Sequence, residues 1–68
     1  MASAGEESLR AMVIAAREAG RSVNLEINDI GYVIIYTLTI PAGQFNPSIR
    51  ETFNGDTSAA MAWLAQFI

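Results

Sequence analysis

Between Val23 and Asn28 apolar and polar residues alternate, whereas from Tyr32 to Ile40 nine successive residues are β-branched, aromatic or aliphatic with no charge among them. Strict alternation predicts a half-buried strand over about residues 22–28, and the continuous run predicts a second strand over about residues 32–40. A sheet with one wet face needs apolar side chains only at alternate positions, yet Val33 and Ile35 supply apolar groups at the intervening ones as well. The second face of this strand is therefore expected to meet something other than water alone. Ile49, Glu51 and Phe53 alternate with Arg50 and Thr52, a weaker pattern that suits an edge strand over about residues 48–53. Glu51 there is a charge that discourages addition of a further strand.

The flanking segments change period. Leu9, Met12, Val13 and Ala16 recur at helical spacing, which predicts a helix over about residues 4–19. Ser3 and Glu6 fit a capping box at its start, and Gly20 falls where a left-handed cap would end it. Asp56 is a good N-cap for a final helix over about residues 57–67. The apolar side chains of that helix, Ala60, Met61, Trp63, Leu64, Phe67 and Ile68, form a wide face that must be docked.

The turn residues Asn28-Asp29-Ile30-Gly31 separate the first two strands and predict a hairpin. An even loop that sets Ile27 opposite Tyr32 places Val23, Leu25 and Ile27 on one face with Tyr32, Ile34, Tyr36, Leu38 and Ile40. A slip of one residue would instead put Asn24 and Glu26 among the tyrosines, so the even loop is expected. Pro41 to Pro47 reads as a loop by its two prolines and glycine. The expected architecture is a single α+β domain of order α-β-β-β-α: two layers, a three-stranded antiparallel meander with strand 2 central, and two flanking helices.

Composition narrows the functional classes. A chain of 68 residues with neither Cys nor His has no disulfide or Cys/His metal site to reinforce it, and its 51% hydrophobic content has to supply the core or a homodimer contact. Seven acidic residues against four arginines give a net charge of −3, which argues against direct, phosphate-driven nucleic-acid binding. No secretion-type leader pattern opens the sequence and no apolar stretch reaches membrane-spanning length, so a cytoplasmic protein without membrane attachment is expected. With no His, Cys or Lys to act as base or nucleophile, no enzyme is expected, and no cofactor or metal is called for. Glu26 and Glu51 could only make a carboxylate pair from the same face, and the expected register separates them.

Two constellations remain. The face opposite the helices would present Asn24, Glu26 and Asn28 on strand 1, Val33, Ile35, Thr37 and Thr39 on strand 2, and Arg50 and Thr52 on strand 3. An apolar centre with a polar rim suits a protein partner or a second copy. With Asp29 at the turn, the candidate partner-binding residues are Asn24, Glu26, Asn28, Asp29, Val33 and Ile35. On helix 1, Arg10, Arg17 and Arg21 form a basic stripe around Ile14 that offers an alternative, nucleic-acid-associated reading. Glu6 and Glu18 stand at pairing distance from Arg10 and Arg21, so local ion pairs are the expected use. Tyr32, Tyr36, Phe53 and Trp63 are expected in the core rather than as a base-stacking platform.

The α-β-β-β-α order resembles double-stranded RNA-binding domains over nearly the whole chain. Where those domains carry lysines at the start of the second helix, this sequence reads Gly55-Asp56-Thr57-Ser58-Ala59-Ala60, so the topology is carried over and the activity is not. In size, acidity, lack of Cys and small antiparallel sheet, the chain also resembles anti-CRISPR inhibitors of phages and mobile elements. That resemblance implies a non-catalytic inhibitor which binds a protein subunit of a CRISPR effector and blocks its nucleic-acid recognition or nuclease recruitment.

Overall fold

The computed structural model describes residues 4–43 and 47–68. Ser3, and with it the capping box, lies outside the described residues, as do residues 44–46 of the loop between Pro41 and Pro47. The elements are α1 (Ala4–Glu18), β1 (Asn24–Asp29), β2 (Ile34–Ile40), β3 (Ile49–Asn54) and α2 (Thr57–Ala65). The three strands form one antiparallel sheet in the order β1-β2-β3, so the α-β-β-β-α meander with a central second strand is the observed fold.

Local chemistry accounts for the ends of the helices. At the end of α1, Gly20 N–H donates to the Arg17 carbonyl and Arg21 N–H to the Ala16 carbonyl, the paired bonds of a Schellman motif. Gly20 sits at φ +94°, a conformation that costs a residue with a Cβ and costs glycine little. At the start of α2 the Asp56 carboxylate accepts the Ala59 N–H at 2.9 Å, as its N-cap position predicts.

Both helices cover one face of the sheet. Leu9, Val13 and Ala16 of α1, Ala60 and Leu64 of α2, and Tyr36, Leu38 and Ile40 of β2 are all buried together with Val23. Half-buried Leu25, Ile27, Ile34, Ile49, Phe53, Met61, Trp63 and Phe67 extend this core to its margins. The Trp63 ring stands edge-on to Phe53 at 6.1 Å between centroids and lies against Phe67 at 4.9 Å, which places these aromatics in packing rather than in solvent. The helices run side by side in the same direction. At one end a methyl group on Gly5 would strike the Thr57 side chain, and at the other Arg21 Nε donates to the Phe67 carbonyl at 2.9 Å. Their C-terminal dipole ends therefore lie together, and Arg17 and Arg21 sit among them with the favourable sign.

The register corrects one expectation. Ile27 pairs with Tyr36, four residues beyond the Tyr32 expected, and the last pair of the hairpin is Asp29 with Ile34. A shift of four preserves parity, so Leu25 and Ile27 still share the helix-covered face with Tyr36 and Leu38. Tyr32 does not join them. It lies outside β2 and is 88% exposed, because the apolar run continues back through the turn that the chain actually makes. Ile68, expected to be docked, is exposed, while Phe67 beside it is half-buried.

Candidate functional site

Opposite the helices the sheet has an open face. Cross-strand neighbours there run Asn24–Thr39–Arg50, Glu26–Thr37–Thr52 and Asn28–Ile35–Asn54. Thr37, at the middle of this face, is only 7% exposed although no helix covers it, and its hydroxyl lies 3.5 Å from that of Thr52. Glu26 and Arg50 reach diagonally across the central strand, with 3.8 Å between carboxylate and guanidinium, and both side chains remain well exposed. The expected apolar centre is therefore absent. Its place is taken by threonines under an ion pair, and the apolar groups Val33 and Ile35 sit at the hairpin end, half-buried.

The six candidate residues divide accordingly. Glu26, Asn28 and Ile35 are brought together on the open face, while Asn24 lies at its far end opposite Thr39. Asp29 is exposed, but its carboxylate serves the fold, accepting the Gly31 N–H at 2.9 Å and so fixing the start of the turn. Val33 is tucked beside Gly55, where an added Cβ would come within 3.2 Å of it. Glu51 is exposed on the helix-side face of β3 and Glu26 on the other, so the two carboxylates do not pair.

The sequence reading included the hairpin through Asn28 and Asp29 but missed Tyr32 and Ile30 as its exposed tip. Residues 30–33 form a four-residue turn closed by the Ile30 N–H donating to the Val33 carbonyl at 3.1 Å. Gly31 takes φ +100°, and the Asp29 carboxylate holds its N–H from outside the turn. These constraints leave Tyr32 projecting at 88% exposure with Ile30 beside it at 40%. The signal was present in Asp29 and Gly31, two residues that favour a turn centred later than Asn28.

The arginines of α1 and of the segment that follows it are largely committed to the fold. Arg17 Nε donates to the Val23 carbonyl at 2.8 Å, which pins the entry into β1, and Arg21 holds Phe67 as described. The expected Glu6–Arg10 pair forms, at 3.4 Å. The expected Glu18–Arg21 pair is not among the ion pairs of the described residues, because Arg21 turns toward the carbonyl after α2. Glu6 itself is buried, and the Tyr36 hydroxyl donates to its second carboxylate oxygen at 3.1 Å. Its place was readable: Glu6 falls in phase with Leu9, Val13 and Ala16, on the stripe that faces the sheet.

Among the described residues no three His, Cys, Asp or Glu side chains converge as a metal site would require. No described helix is long and apolar enough to cross a membrane. Compared with protein-family models, curated proteins and solved structures, the chain finds no match.

Proposed function

We propose that the protein is a non-catalytic binding module that docks another protein with its β1–β2 hairpin tip and the adjoining end of the open sheet face. The observation that carries this reading is Tyr32, a large amphipathic ring 88% exposed on a turn already held by two hydrogen bonds. A turn held in this way loses little backbone freedom on binding, and Tyr is among the residues that dominate interface energetics. Ile30 widens the apolar contact, Asn28 and Asp29 border it with polar and acidic groups, and Glu26 lies further along the open face. The partner that fits is a protein surface with an apolar pocket rimmed by basic residues. Inhibition of a CRISPR effector is the narrower form of this reading, and it rests on the resemblance in size, charge and architecture alone.

The deciding experiment isolates a stoichiometric protein partner with tagged wild-type chain and then measures its affinity for Tyr32→Ala. The side chain is exposed, so circular dichroism should show an intact fold, while affinity should fall more than about tenfold, the loss of ~2 kcal/mol or more typical of a central aromatic contact. Undiminished binding by a Tyr32→Ala, Ile30→Ala double variant would remove the tip from the interface. The narrower form is tested by adding the protein to a purified CRISPR effector and measuring target binding and cleavage. Undisturbed activity there sinks it.

A further inference from the structure

We propose that the free edge of β1 and the exposed stripe of α1 beside it form a self-association surface, on which a second copy of this chain docks antiparallel about Ile14. The two edges of the sheet differ. On β3 the helix-side residues Ile49 and Phe53 are separated by exposed Glu51, a charge that resists strand addition. On β1 the helix-side residues Leu25 and Ile27 have no charge between them, and the next on that face, Asp29, lies at the hairpin end of the strand. Among the described residues the backbone groups along its outer side have no strand partner, since β1 pairs only with β2.

The helix above this edge supplies the choice of partner. Val13, Ile14 and Leu25, flanked by Arg10 and Arg17, line a groove of about 220 Å³ between α1 and β1. Ile14 is 53% exposed there. Around it the exposed residues Arg10 and Glu18, of opposite sign, stand four positions either side on α1. These positions share one face of a helix. When the same helix is laid antiparallel with Ile14 against Ile14, Arg10 meets Glu18 of the second copy, a contact that occurs twice. A two-fold interface demands this self-complementarity, whereas an unrelated partner does not. The bond that Arg10 already makes uses Nε, and the Nη donors of its guanidinium can serve the second chain.

Sedimentation velocity over a concentration series, extended to several hundred micromolar, tests the proposal, with hydrogen exchange of the β1 amides followed in parallel. Mass should rise from monomer to dimer, and protection of residues 24–29 should rise with it. Ile14→Asp should leave a folded monomer. Glu18→Arg, which replaces each attraction to Arg10 of the second copy by a repulsion, twice over, should weaken association about tenfold. A chain that stays monomeric throughout overturns the proposal. So does a dimer whose mass and β1 protection are indifferent to both substitutions.

Discussion

Leu38 and Thr37 are neighbours on the central strand and both are buried, one facing the helices and the other facing away. Leu38 is covered by a second layer, since Leu9, Ala60 and Leu64 close over the same face. Thr37 is covered within its own layer, by the cross-strand side chains of Glu26 and Thr52 and by the Glu26–Arg50 pair that spans the strand. Burial thus arises from two kinds of cover, one apolar and close-packed, the other polar and still in contact with water at its rim. The contrast teaches that low exposure on a central strand does not by itself imply an overlying helix or partner. It also explains why the open face tolerates solvent without a large apolar patch.

Substitutions should separate the two faces. Leu38→Ala should have the largest effect, lowering unfolding free energy by about 2–5 kcal/mol in urea titrations, because the void lies between two helices and a sheet that cannot collapse fully. In a domain of this size such a loss would leave much of the chain unfolded. Tyr36→Phe comes next. It keeps the ring in place but deprives buried Glu6 of a hydroxyl donor, and about 1–3 kcal/mol should be lost with little change in the denaturant slope. Thr37→Val should matter least, changing stability by less than about 1 kcal/mol, since shape is kept and the hydroxyl contact with Thr52 is long. If Thr37→Val proved as costly as Leu38→Ala, the cover of the open face would be more than neighbouring polar side chains.

Much of this layout is legible in the sequence because parity is robust. Alternation in β1 and the position of the acidic residues decide which side chains share a face, and a register error of four leaves those assignments unchanged. What alternation cannot supply is where the hairpin turns. Tyr32 and Val33 have strand composition, and only the local chemistry of Asp29 and Gly31 removes them from β2. The candidate site suffered for the same reason: residues expected as strand, Tyr32 above all, are the tip of the loop. Arg21 and Phe67 lie 46 residues apart and meet through a side chain and a main-chain carbonyl, a pairing for which hydrophobic periodicity carries no signal. The burial of Glu6 is legible in its phase with Leu9 and Val13, even though an acidic residue in the first turn of a helix also has an ordinary electrostatic use.

The lateral pairing of α1 with α2 bears on the order of events as the chain is synthesised. α1 and the strands emerge first, and the sheet at that stage has only part of its roof: Tyr36, Leu38 and Phe53 face a gap that Ala60, Trp63 and Leu64 later fill. The nascent hairpin and third strand can pair through contacts close in sequence, but the Gly5–Thr57 approach and the Arg21–Phe67 bond must wait for a segment roughly fifty residues downstream, the kind of distant closure that slows folding. Until α2 docks, the folding chain presents an uncovered apolar sheet, the kind of surface through which folding intermediates aggregate.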